Sequence, residues 1–180
     1  MPRWNFFIHN FGFIYFNFFI ISAGFNDGNS AVIQVNDQNY IPENTLRGHH
    51  VCTFIQNSYE FVEYRRFDIF SGGTTVIDQY ISFLDNLDEN YIIAIAVSDE
   101  GRVTSVPLKN KIKEFGSIYI DSLVFRGSWA MIGKKGAAPG SVPEGFTVPF
   151  AGRVEIDTTI YKRFNEGYLV TSTIGPVGNW

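Results

Sequence analysis

The residues that could do chemistry begin with Cys52 and its neighbours His49 and His50, in the run GHHVCTFI. A zinc site would need further cysteine or histidine ligands at suitable spacing. On a strand, His49 and His50 point to opposite faces and cannot easily share one ion. Cys52 is the single cysteine, so no internal disulfide exists. We read a buried thiol beside two ordinary histidines, and no metal. Ser128 stands in Gly127-Ser128-Trp129, which lacks the Gly-x-Ser-x-Gly elbow. Asp99 and Glu100 are adjacent carboxylates in a turn, where they are solvated or favour the positive start of a following helix. The run GKKGAAPG (133–140) has lysines and glycines without P-loop spacing. No convergent reactive set emerges, so the expectation is a protein that is not an enzyme, with no catalytic residue and no cofactor.

Charge removes another class. The net charge is −4 and the pI about 5.3, and no Lys/Arg run exceeds two residues, as in Arg65-Arg66 and Lys134-Lys135. A duplex-binding protein needs a basic stripe to displace counterions, so nucleic acid is not expected as a partner. Of the 180 residues, 45% are apolar and 17% aromatic, enough for a sizeable core. The 18 Phe and 9 Tyr favour strands. Only 18% are charged, which leaves surface for a partner to cover.

The run from Trp4 to Asn26 contains no Asp, Glu, Lys or Arg. Three readings stay open for it. It could be a signal peptide, with Arg3 ahead of the apolar stretch and Ser22-Ala23-Gly24 as small cleavage residues. It could be a membrane segment. Asn5, His9, Asn10 and Asn17 interrupt the run, and aromatics outnumber Leu and Ala, so we favour an assembly arm of one long β segment, or two with a bend near Gly12. Its contact residues would be Trp4, Phe6, Phe7, Phe11, Phe13, Phe16 and Phe18, docking on other structural chains of a particle or on further copies of this chain.

The elements that must position these residues follow from periodicity. Asn26-Asp27-Gly28 marks a turn before the alternating strand AVIQVND. GHHVCTFI and EFVEYRRFDIF read as strands joined by QNSYE, with Phe61, Glu63 and Arg65 on one face and Val62, Tyr64 and Arg66 on the other. After a Ser71-Gly72-Gly73 loop, Thr75 and Asp78 have the spacing of a capping box for a first helix running to Leu87. YIIAIAVS is a strand buried on both faces. A second helix begins near Ser105 with Pro107 in its first turn, and Gly116 stops it. SIYIDSLVF and SWAMIG read as strands. FTVPFAGRVEI, TTIYKRF and YLVTSTI are three more strand signals in the tail. The order implies an α+β fold: β-rich mixed or antiparallel sheets with two helices, plus β-rich N- and C-terminal extensions.

Five strings carry a family resemblance: LRGHHVCTFI, RRFDIF, FLDNLDENYIIAIAVSDEG, LKNKIKEFGS and FRGSWAMIGKKG, in that order over Leu46–Gly136. Together they resemble the interleukin-like EMT inducer domain. The resemblance implies a domain at 46–140, flanked by an aromatic arm at 1–45 and a C-terminal β extension at 141–180 that match nothing in the family. It also implies a non-enzymatic binding role. A domain of this family binds sugar in the stem of a protein O-mannose N-acetylglucosaminyltransferase. The matching positions here are Asp99, Arg126 and Trp129, a carboxylate and a guanidinium for hydroxyls and an indole for a pyranose face. Secreted animal members carry disulfide-forming cysteines, whereas this chain has Cys52 alone, and Gly127 replaces the acidic residue before Ser-Trp. Such domains also resemble parts of bacterial-virus tails and fibres. The expectation is therefore a virion tail component that assembles on other chains and takes cell-surface glycan, with a secreted cytokine-like domain as the alternative, and no membrane partner.

Overall fold

The computed structural model describes residues 13–42, 46–163 and 166–176. The described residues build ten strands and two α-helices: β1 (Phe13–Gly24), β2 (Ser30–Val35), β3 (Gln38–Asn39), β4 (Gly48–Ile55), β5 (Phe61–Phe67), α1 (Ile69–Asp85), β6 (Tyr91–Asp99), α2 (Val106–Lys113), β7 (Ser128–Lys134), β8 (Glu144–Thr147), β9 (Val154–Arg163) and β10 (Glu166–Pro176). The fold is α+β, as expected.

The strands form one curled, mixed sheet. One half is the antiparallel set β10-β9-β1-β2-β3, and the other is β5-β4-β6-β7-β8. They join where the ends of β1 and β6 run parallel, with Ala23 opposite Ser98 and Gly24 opposite Asp99. The halves fold over each other on an aromatic core that includes Phe16, Phe18, Ile20, Ile33, Phe54 and Tyr59. Helices α1 and α2 cover the opposite face of the second half, over Tyr80, Leu84, Leu108, Ile112 and Trp129.

β6 sits between both cores, and its alternation shows it. Ile92, Ala94 and Ala96 face the aromatic core. Ile93, Ile95 and Val97 face the helices. An unbroken apolar run is what a strand buried on both faces requires.

α2 forms as the sequence implies. Ser105 Oγ caps it by accepting Leu108 N–H at 3.3 Å. Gly116 ends the stretch at φ 97, where a residue with a Cβ would be strained. α1 differs from expectation. It begins at Ile69, because the Asp68 carboxylate accepts from both the N–H and the hydroxyl of Ser71. The Ser71-Gly72-Gly73 segment lies inside the helical stretch, which Gly73 interrupts at φ 54.

Two strand readings change. SIYIDSLVF is a series of turns. Its amides are taken locally: the Glu144 carboxylate accepts from Ile118 and Tyr119 N–H, and Ser117 Oγ accepts from Ile120 N–H. In β5, Phe61 and Tyr64 both pack against the aromatic core. A register shift between Thr53 and Phe54 inserts Val62, so strict alternation fails there.

The N-terminal run is divided by what is described. Trp4, Phe6, Phe7 and Phe11 lie outside the described residues. Phe13 to Phe18 belong to β1, paired along its length with β9. Phe16 and Phe18 are buried in the chain's own core, Phe18 edge-on to Phe54 at 5.5 Å. Burying such a ring is worth roughly 2 kcal/mol, so these two side chains stabilise this molecule and are not held out for another. Among the described residues, no helix is long and apolar enough to cross a membrane.

Candidate functional site

Where β1 and β6 end together, the backbones crowd. Gly24 N–H donates to Ser128 Oγ at 3.0 Å. A Cβ on Gly24 would collide with the carbonyl of Arg126. This close approach presses the turn carrying Phe125 and Arg126 against the turn carrying Phe25. The result is an aromatic and cationic surface at one pole of the fold.

The surface is a ladder of rings and guanidinium groups. Arg126 Cζ lies 4.0 Å from the centre of the Phe25 ring and 5.2 Å from that of Phe125. Phe125 meets Phe70, with ring centres 6.2 Å apart. Arg47 Cζ lies 4.9 Å from the Phe70 ring, and its fork grips Asp68 at 3.0 and 3.1 Å. The rings are open to solvent: Phe25 is 47% exposed, Phe70 58% and Phe125 45%. Phe150 stands nearby at 79% exposure. Asp27 holds it there by accepting Phe150 N–H at 3.1 Å and Gly152 N–H at 2.9 Å.

The pole is held in unfavourable backbone. Asp99, Arg126 and Phe150 have φ of 62, 59 and 67°. Such angles are uncommon outside glycine and cost most for bulky residues. For Arg126 the compensation is visible: the buried Glu100 carboxylate accepts its N–H at 2.6 Å and that of Arg102 at 2.6 Å. Glu100 is thus an internal clamp, where the sequence suggested a solvated turn carboxylate. Arg47 is more firmly protonated than an ordinary arginine, first through its hydrogen bond to Asp68 and further through Asp68, Asp99 and Glu100 nearby. The Arg126 guanidinium has no carboxylate partner among the described residues, and no ion pair joins it to Asp99.

The three sequence-predicted sugar residues separate. Asp99 and Arg126 sit at this pole. Trp129 is 0% exposed, its ring against His49 at 5.6 Å and its Nε1–H donating to Glu144 Oε1 at 2.8 Å. Its indole face is occupied by the core. Sequence reasoning missed Phe25, Phe70, Phe125 and Phe150. Their hydrophobicity reads as core, and only the positive φ at Arg126 and Phe150 turns part of this set outward.

The other candidates are interior. His49 Nε2–H donates to the Gly101 carbonyl at 2.7 Å, and His50 Nε2–H to that of Leu46 at 2.6 Å. His50 Nδ1 then accepts from the Tyr64 hydroxyl at 2.8 Å. They do face opposite sides of β4, and burial pushes both down to about 4. Cys52 is buried, and burial pushes its thiol up to about 12, so it carries no thiolate near neutrality. Ser128 is buried and spends its Oγ on Gly24. Among the described residues no group of three or more His, Cys, Asp or Glu is placed to hold a metal ion.

Comparison with known families matches the interleukin-like EMT inducer model to residues 47–137. No curated protein matches the chain. The matched span holds β4 to β7 and both helices. It includes four rungs of the pole (Arg47, Phe70, Phe125 and Arg126), while Phe25 and Phe150 come from the flanks.

Proposed function

Since this chain belongs to the interleukin-like EMT inducer family, we propose that it is a non-catalytic recognition domain whose pole of Phe25, Phe70, Phe125, Arg126 and Phe150 binds a protein partner. The observation that carries this is the Arg126 guanidinium, stacked on Phe25 at 4.0 Å with no carboxylate partner among the described residues. Aromatic residues and arginine are the types that dominate protein hot spots. The partner should therefore bring a carboxylate to Arg126 and apolar side chains to the rings around it. A strained, clamped backbone keeps the rings outward before binding, which lowers the ordering cost of association.

A sugar reading is less favoured, because the stacking face of Trp129 is enclosed in the core. The family supports a secreted, cytokine-like placement. The described part of the N-terminal run lends the viral-tail placement no support, since Phe16 and Phe18 are internal. The test uses the full chain against arrays of purified secreted and cell-surface ectodomains, with a glycan array in parallel. Phe25→Ala/Phe150→Ala and Arg126→Ala should weaken any protein interaction tenfold or more, while Asn110→Ala on α2 should leave it intact. Binding confined to glycans, or protein binding indifferent to the pole variants, would refute the proposal.

A further inference from the structure

A second surface lies away from the pole, along the outer edge of β5. β5 pairs with β4 on one side, and no other strand pairs its outer edge among the described residues. A groove of about 910 Å³ runs between this edge and α1, its strand wall carrying Glu63, Arg65 and Arg66 and its helix wall Asp78 and Gln79. An open edge presents unpaired backbone donors and acceptors to any strand that fits it.

The sequence of the edge is self-complementary. Placed antiparallel to itself about Tyr64, Glu63 falls opposite Arg65 and Arg65 opposite Glu63. Directly opposed residues share a face, so both ion pairs form on the helix side. That side already holds Arg65 over the Phe83 ring and ties it to Glu63 at 2.7 Å within one copy. The strand is regular from Glu63 to Phe67, with the shift confined to the Thr53/Phe54 end. Asp78 has no partner among the described residues and adds an acidic group on the helix side, the side Arg65 takes.

We propose that β5 is a homodimer edge: two copies pair antiparallel about a two-fold axis at Tyr64, making their sheets continuous. Charged edge residues commonly block strand addition. Here the block is selective, because the pattern opposes unlike charges only in the symmetric register and excludes strands lacking it. An isologous contact of this kind also closes at two copies.

Sedimentation velocity of the full chain over a wide concentration series should show a reversible dimer. Glu63→Arg and Arg65→Glu each put like charges opposite one another twice per dimer, and each should raise the dissociation constant roughly tenfold or more. The double exchange, Glu63→Arg with Arg65→Glu, restores opposition and should recover wild-type affinity. Tyr64→Cys should cross-link with itself under oxidising conditions, because directly opposed Cα atoms lie about 4.5–5.5 Å apart, within disulfide reach. Arg66→Cys, offset from itself by roughly 13 Å, should not. A chain monomeric at every concentration, or a dimer indifferent to the single reversals, overturns the proposal. The charge series decides it even where a cysteine variant folds poorly.

Discussion

The indole of Trp129 and the carboxylate of Glu144 meet inside the protein, Nε1 to Oε1 at 2.8 Å. The same carboxylate accepts from the Ser117 hydroxyl and from the N–H groups of Ile118 and Tyr119. On the other side of Trp129, its backbone N–H donates to Ser22 Oγ at 2.9 Å, and that hydroxyl donates to the Val97 carbonyl at 2.8 Å. Trp129 lies within the family span, while Ser22 and Glu144 lie outside it. The flanks therefore supply the buried polar contacts of the family's tryptophan.

Removing the carboxylate exposes this dependence. Glu144→Ala leaves several donors without their acceptor, and buried unpaired donors are costly. We expect a loss of about 3–5 kcal/mol in urea unfolding. Trp129→Phe removes one donor and some volume. Because the two residues share one bond, Trp129→Phe/Glu144→Ala should cost less than the sum of the single changes by about 1–2 kcal/mol. Additive losses would show that the contact is not energetically coupled.

Acid should weaken the fold through the two buried histidines. Burial lowers His49 and His50 from 6.5 to about 4 in the folded chain, so the unfolded chain binds protons first. Their contribution is fully present above the unfolded value and is lost as pH falls from about 6.5 to 4. Each can remove up to about 3 kcal/mol over that window. Asp68, which is lowered from 3.8 in the folded chain, acts only below it. Urea midpoints should be flat above pH 7 and fall steeply toward pH 4. His50→Gln should remove roughly half of the fall, and an unchanged slope in that variant would remove His50 from the explanation.

Binding and stability should separate at Phe150. Its φ of 67° is one that glycine adopts freely. Phe150→Gly should therefore change stability by less than about 1 kcal/mol in either direction, strain relief offsetting chain entropy. The exposed ring is lost all the same, and with it any affinity that depends on the pole. Asp27→Ala keeps the ring but frees its loop. Amides 148–152 should exchange faster with solvent in that variant, at a cost of about 1 kcal/mol. Unchanged exchange would mean that Asp27 does not hold the loop.

The legible parts of this fold are those whose signals are local. Ser105, Pro107 and Gly116 announce α2 within a dozen residues, and the run from Tyr91 to Ser98 announces a strand covered on both faces. The misread parts depend on distant groups. Residues 118–120 look like a strand until a carboxylate more than twenty residues away claims the amides of Ile118 and Tyr119, and Ser117 Oγ that of Ile120. Asp68 competes with Thr75 as a helix start, and its side-chain contact to Ser71 appears only in three dimensions. Phe16 and Phe18 read as contacts for another chain because nothing nearby shows that Phe54 and Tyr59 will cover them. The pole was half legible: Asp99 and Arg126 were singled out for a ligand, whereas Trp129, the third member, turned inward.

The same long-range dependence predicts what happens when the family span is cut out. A fragment of residues 46–140 keeps the helix-side core but loses β1, β2, β8 and β9. Ile92, Ala94, Ala96 and Ala130, now under Phe16, Phe18, Ile33 and Ile156, would face water. The Trp129 N–H groups would lose Ser22 and Glu144 together. Stability of a domain this size is only about 5–15 kcal/mol, and burying one such aromatic or aliphatic side chain is worth roughly 2 kcal/mol, so losing that layer removes more than the margin. The fragment should show helical circular dichroism with a broad, non-cooperative thermal transition, whereas the full chain melts sharply. A sharp, two-state melt from the fragment would mean that the central span folds alone and that the flanks only decorate it.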